Sequence, residues 1–270
     1  MTSRPGRRVR YTIRPCRNIE EIEACVRLQQ QIWGYADFEL YPSRLFVNLT
    51  HIGGHVIGAF CDGNRRAGEL VGFVSAMPAW RDGRRYLHSL SLGVAAGHEN
   101  QGLGRKLKIE QRRLALEAGI RRIEWTFDPL RAKNAFFNIV RLGAITRRYR
   151  PDYYGRVESR LQQGLPSDRL VCEWWLRSPR VRLAITRSSD SHSEPAKSSS
   201  VLPKGQPMVE IPLDFSTIAE QESGKARKLQ RRVRRKFQDY FGRGLAVTGF
   251  ERGDRVGRYL LEPFHENRSH

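Results

Sequence analysis

The sequence predicts the α/β class: a mixed, twisted sheet flanked by helices, with a small α/β extension behind it. Two observations carry that reading. Apolar runs of period two alternate with segments of helical period from about residue 9 to residue 178. Within that stretch a strand, a glycine-rich turn and a helix follow one another directly from Leu87 to Gly119. A third observation, the serine-rich run around residues 188–200, divides the chain. The expected organisation is an α/β domain over residues 1–180, a linker over 181–207 and a basic strand–helix–hairpin extension over 208–270.

The elements are justified in order. Val9 to Arg14 alternates as a strand that Pro15 ends. Ile19, Ile22, Val26 and Trp33 recur at helical spacing, with Asn18 suited to the N-cap and Gly34 lying past the end. Tyr41 to Leu49 suits a second short helix. His55–Phe60 and Leu70–Ala76 read as two strands of a hairpin around Gly63-Asn64, and Asp82-Gly83 turns the chain into the Leu87–Val94 strand. After it, Leu103, Leu107, Leu114 and Ala118 fall on one helical face, and Gly119 caps that helix. Arg122–Phe127 is the next strand, expected to lie parallel to Leu87–Val94 through a right-handed crossover. Asp128 and Pro129 fit the N-cap and first position of a helix running to Leu142, which Gly143 terminates. Ala144–Tyr149 and Leu170–Leu176 supply two more strands. Beyond the serine-rich run come a short strand at Met208–Pro212, one long helix from Phe215 to Phe241 and a terminal hairpin around Arg252-Gly253-Asp254.

The most informative local feature is the turn Asn100-Gln101-Gly102-Leu103-Gly104-Arg105. A helix start leaves backbone N–H groups without intrahelical partners, and its dipole favours an anion there. Gly102 and Gly104 carry no Cβ to hold an anion away, and Arg105 and Lys106 add positive charge. The run Glu99-Asn100-Gln101-Gly102-Leu103-Gly104 resembles the acyl-CoA-binding core of the GNAT acyltransferase superfamily, Arg/Gln-x-x-Gly-x-Gly/Ala. Glu99 stands where that family has Arg or Gln. The order of elements is similar to the family's as well.

The resemblance implies direct transfer of an acyl group, acetyl first among them, from acetyl-CoA to a primary amine, without a metal. It implies diphosphate contacts from Asn100, Gln101, Gly102, Leu103, Gly104 and Arg105. It also implies that the main chain of Leu92 and Val94 guides the pantetheine arm and polarises the thioester carbonyl. Asn134 and the Leu142-Gly143 pair resemble the family's fourth-helix motif, which adds Asn134 to the cofactor contacts. The tyrosine that usually serves as general acid falls at Ile139 here, and Tyr149, Tyr153 and Tyr154 follow as substitutes. For the general base, Asp128 ends a strand at the place a water-relayed proton acceptor requires, but it equally suits a helix cap. His88 has the titration range of a base and also suits a hydrogen-bonded core position. Glu124 is a third candidate, and it equally suits a helix-facing or edge carboxylate.

Composition sets the outer bounds. With 270 residues the chain can bury a sizeable core. Its 48 Lys and Arg against 28 Asp and Glu give a formal charge of +20, a field that attracts polyanions. The basic helix around Arg231 has three readings: contact with nucleic-acid phosphates, docking on an anionic membrane, or a solvated face over a packed stripe. A scaffold of the same family that binds nucleic acid without catalysis is therefore the alternative function. The four cysteines, Cys16, Cys25, Cys61 and Cys172, show no paired spacing, so neither a zinc site nor a disulfide framework is indicated. No apolar run reaches the roughly 18 residues of a membrane span, and the Arg4–Arg10 segment lacks the apolar stretch of a secretory signal. A soluble cytoplasmic protein is expected.

Overall fold

The computed structural model describes residues 9–62, 68–155, 164–187 and 205–264. The Gly63-Asn64 turn, most of the Arg4–Arg10 segment and the serine-rich run lie outside the described residues. The chain divides into two compact units, residues 1–118 and 119–270.

The first unit contains β1 (Arg10–Pro15), α1 (Ile19–Trp33), α2 (Ser43–His51), β2 (His55–Asp62), β3 (Glu69–Arg81), β4 (Arg84–Val94) and α3 (Leu103–Glu117). Its strands lie in the order β1-β2-β3-β4, each antiparallel to the next. Helix α1 starts as its sequence dictates: Asn18 Oδ1 accepts from the Glu21 amide at 3.0 Å, and Gly34 ends it in the left-handed region at φ 62°. Arg14 clamps Glu21 through two bonds of 2.8 and 2.7 Å, fixing the helix start to β1. The sheet is covered on both faces. On one, Ile22, Cys25 and Leu28 of α1 and Phe46 and Leu49 of α2 pack with Val56 and Phe73. On the other, Leu103 and Leu107 of α3 pack with Ile57, Ala59, Val71 and Val74.

Two details of this unit depart from the sequence expectation. Ala118 is exposed and Leu114 only partly buried; the inner face of α3 is completed instead by Lys108, Gln111 and Ala115. Lys108 donates to Gln111 Oε1 at 2.7 Å and Ser89 Oγ at 3.3 Å, and Ser89 passes its own proton to the Ser75 carbonyl at 3.3 Å. A hydropathy stripe misses these residues because their polar ends meet each other inside the fold. Cys16 and Cys25, distant in sequence pattern, bring their Sγ atoms to 3.8 Å, although all four cysteines are free thiols.

His55 is buried beside this polar group. Burial, helped by the charge of Lys108 and opposed by Glu110, holds its imidazole down at about 4. Above its ordinary value of 6.5, His55 is neutral in both folded and unfolded chains. As pH falls from there towards about 4, the unfolded chain gains a proton that the folded one refuses. Stability should drop by up to about 3 kcal/mol over that window. Urea unfolding of His55→Gln at pH 7 and at pH 4.5 should show that share of the loss removed.

The second unit contains β5 (Arg122–Phe127), α4 (Ala132–Ala135), β6 (Ile145–Arg150), β7 (Arg169–Trp175), α5 (Pro179–Arg187), β8 (Met208–Pro212), α6 (Phe215–Gln221), α7 (Ser223–Gly242), β9 (Leu245–Arg252) and β10 (Val256–Pro263). Its strands run in the order β5-β7-β6-β9-β10-β8. The C-terminal segment is part of this sheet rather than a tethered appendage, since β9 pairs with β6 at Val247 and Thr146. Helix α5 likewise occupies residues that were expected to begin the linker. It anchors through Arg180, whose buried guanidinium donates to the carbonyls of Gly143, Ile139 and Thr248.

The long helix expected from Phe215 to Phe241 is two helices. Glu222 leaves the helical region at φ −135°, ψ 65°, between α6 and α7. The break turns separate apolar faces inward: Phe215 and Ala219 from α6, and Ala226, Val233 and Phe237 from α7. Asp128 does not cap a helix either. Its carboxylate accepts from the Leu130 amide at 2.8 Å in a turn, and α4 begins only at Ala132. From Phe136 to Arg141 the helix then widens into a π-turn, which the Leu142 amide closes onto Phe137 O at 3.0 Å.

Candidate active site

In the first unit the residues expected to hold a diphosphate form a preshaped loop between β4 and α3. Gly97, Asn100 and Gly102 adopt left-handed backbone angles, with φ of 84°, 59° and 77°. Gly102 is the N-cap of α3 and offers no side-chain oxygen to the amides behind it. The first amide to close onto the cap is that of Lys106, which bonds Gly102 O at 3.0 Å. The amides of Leu103 and Gly104 precede it and point along the helix axis, where the positive end of the dipole lies. No acidic residue stands in the first turn of α3, whereas Arg105 and Lys106 do. Leu103 is buried and anchors the turn in the core, while Asn100, Gln101 and Gly102 are exposed. A cradle of this kind, with 15 residues of helix behind it, suits an anion of phosphate type.

Leu92 and Val94 lie in the last turnless stretch of β4, opposite Val74 and Gly72. A bulge inserts Leu90 opposite the Ser75–Ala76 step, so the strand bends just ahead of them. Gly93 between them is tightly enclosed: a Cβ there would come within 2.7 Å of Ile32 and 3.1 Å of Trp33, both at the end of α1. His88 is half-buried in the same strand, opposite Met77.

In the second unit, Asp128 follows the end of β5 and is half-buried. One of its oxygens is occupied by the Leu130 amide; the other stands 3.4 Å from Arg131, which also donates to Ser216. Tyr259 braces this turn by donating to Pro129 O at 2.7 Å. Two residues back along β5, Thr126 Oγ1 lies 2.9 Å from the Tyr154 hydroxyl. The Tyr154 ring is half exposed, with the Arg169 guanidinium 5.2 Å from its centroid.

The other candidates separate on their partners. Tyr149 is buried and gives its proton to Asp168 at 2.6 Å; burial and that carboxylate push its phenol well above the ordinary range. It has a structural partner already. Glu124 is buried between Arg148 at 2.8 Å and Arg122 at 3.3 Å, beside Glu173 on the paired strand, itself held by Arg147 and Arg148. In that network Glu124 is held in place by its two arginine partners. Asn134 is exposed on the single turn of α4, and Ile139 is buried within the π-turn. Among the described residues there is no group of three or more His, Cys, Asp or Glu arranged to hold a metal.

The basic face of α7 is largely solvated. Arg231, Arg232, Arg235 and Lys236 are exposed, but Arg234 is bound to the buried Asp168 at 2.7 Å and Arg227 donates to Gly164 O at 3.2 Å. Among the described residues no helix is long and apolar enough to cross a membrane.

Sequence reasoning missed Tyr11. Its hydroxyl reaches across from β1 to His98 and Gln101 of the glycine loop, 87 and 90 residues later. Only its place in an alternating strand was visible, and that periodicity says nothing about so distant a partner.

Residues 21–139 match the Acetyltransferase (GNAT) family. Among solved structures, Arabidopsis thaliana NAA60 in complex with acetyl-CoA is 17% identical, with a TM-score of 0.50, covering 62% of this chain and 98% of that one. The ribosomal-protein-S18-alanine N-acetyltransferase of Escherichia coli is 15% identical, with a TM-score of 0.46 and coverage of 61% and 92%. A GNAT-family acetyltransferase of Streptococcus pneumoniae is 17% identical, with a TM-score of 0.48 and coverage of 61% and 98%. No curated protein sequence matches the chain.

Proposed function

We propose that the chain, whose residues 21–139 match the acetyltransferase (GNAT) family, moves an acetyl group from acetyl-CoA directly to a primary amine. The observation that carries this reading is the uncapped, glycine-lined start of α3, with two cations and no acid in its first turn. The acetyl-CoA bound to NAA60 supports the choice of donor.

In this reading the amides of Gln101, Gly102, Leu103 and Gly104 bind the diphosphate, with the side chains of Asn100 and Arg105 at its edges. The main chain of Leu92–Val94 holds the pantetheine arm as an added strand would be held, and an amide of that segment polarises the thioester carbonyl. The neutral amine attacks that carbon. A C–N bond forms, the C–S bond breaks, and two protons move. The nitrogen gives its extra proton to a general base, the role the family resemblance suggests for Asp128, and the departing thiolate takes one from a general acid. His88 is assigned no step.

Calorimetric titration with acetyl-CoA should give saturable heat, and its absence at millimolar ligand would remove the proposal. Thiol release across a panel of amines then identifies the acceptor. Against the best of these, Asp128→Asn should lower the turnover number about 100-fold and leave the acetyl-CoA dissociation constant unchanged. An unaltered turnover number would strip Asp128 of its role.

A further inference from the structure

We propose that Tyr11 of β1 is a positioning residue whose hydroxyl clasps the glycine loop into its anion-binding shape before any ligand arrives. The inference rests on reading Asn100–Arg105 as the diphosphate site.

Counting protons fixes the arrangement. Gln101 Nε2 donates to Gly97 O at 3.1 Å, so its Oε1 faces Tyr11 and can only accept. The single Tyr11 proton goes to that oxygen at 2.7 Å. His98 Nδ1, 3.0 Å from the same hydroxyl, must therefore carry the hydrogen between them. One phenol thus satisfies two side chains of the loop, and through Gln101 it secures a backbone carbonyl at Gly97. The rings of Tyr11 and His98 also meet edge to face, with centroids 5.8 Å apart.

The loop needs such an external tie. Gly97, Asn100 and Gly102 all sit at positive φ. Among the described residues the loop's backbone bonds lie at its ends: Ala95 N to Val71 O at 2.8 Å and His98 N to Ala95 O at 3.1 Å ahead of the turn, and Lys106 N to Gly102 O at 3.0 Å behind it. Without the clasp, the segment holding the amides of Gln101 to Gly104 would have to be ordered by the ligand, and binding would weaken accordingly. Tyr11 is well placed to supply order, because its ring packs on the core cluster that also contains Leu103 and Leu107 of α3. It joins the rigid sheet to the loop from outside.

Tyr11→Phe is the informative variant, since it keeps the packed ring and removes only the hydroxyl. Acetyl-CoA should bind it about tenfold more weakly by calorimetry. Amide hydrogen exchange should speed up over residues 97–105 and stay unchanged in β2 and β3. Gln101→Met should show the same two effects, and the double variant should be no weaker than the worse single one. If wild-type protein binds acetyl-CoA and Tyr11→Phe matches it in affinity and exchange, the clasp is refuted and the diphosphate reading survives. If exchange rises throughout the first unit, Tyr11 is merely a core residue and the inference falls. If wild-type protein binds no acetyl-CoA, both fall together.

Discussion

Substituting valine at Gly102 is expected to weaken acetyl-CoA binding at least about 100-fold, or about 2.7 kcal/mol. Gly102 sits at φ 77°, and among the described residues none beyond its chain neighbours lies within 4 Å of where its Cβ would be. The penalty is thus not a clash within the protein. A branched side chain cannot hold this left-handed geometry without about 1–2 kcal/mol of strain, so the backbone relaxes and the amides of Leu103 and Gly104 swing off target. The added carbons would also stand where the anion must approach. Gly102→Asn is the control: asparagine tolerates the left-handed region, as Asn100 does two residues earlier at φ 59°. Calorimetry should place that variant nearer wild type than the valine form, with far-UV circular dichroism unchanged in both. Wild-type affinity in Gly102→Val would show that the turn does not grip the donor.

The largest effect on stability is expected at Asp168. This buried carboxylate accepts from the Tyr149 hydroxyl at 2.6 Å, the Asp152 amide at 3.0 Å and two Arg234 nitrogens at 2.9 and 2.7 Å. It ties β6 and α7 to the segment leading into β7. Asp168→Ala leaves the Tyr149 phenol without its acceptor and Arg234 without its counter-charge, a combination that costs about 3–5 kcal/mol. Asp168→Asn retains an acceptor oxygen and should lose less. Urea unfolding at pH 7 measures both, and a loss below about 1 kcal/mol for the alanine variant would contradict the account.

Where the sequence reading erred, the cause is the same each time. Ala118 continues an apolar stripe yet is exposed, while Lys108 and Gln111 interrupt it yet are buried. Periodicity counts carbon and cannot see that Lys108, Gln111 and Ser89 satisfy one another. Asp128-Pro129 carries a helix-start signal, but the carboxylate spends itself on Leu130 and the helix waits until Ala132. The stretch from Phe215 to Phe241 has helical composition throughout; it breaks at Glu222 because its two halves bury different faces.

By itself the sequence determined the strands, the Asn18 and Gly34 ends of α1, and the glycine turn opening α3. All of these follow from residues within a few positions of each other, where φ preferences, capping and period act directly. The tertiary structure alone decided which polar groups are already engaged. It is what ties Tyr149 to Asp168, Glu124 to Arg148 and Tyr154 to Thr126, and sets Tyr11 against the loop that begins the third helix. Those pairings join residues from 19 to 90 positions apart, and a hydrogen bond of that reach leaves no trace in local pattern.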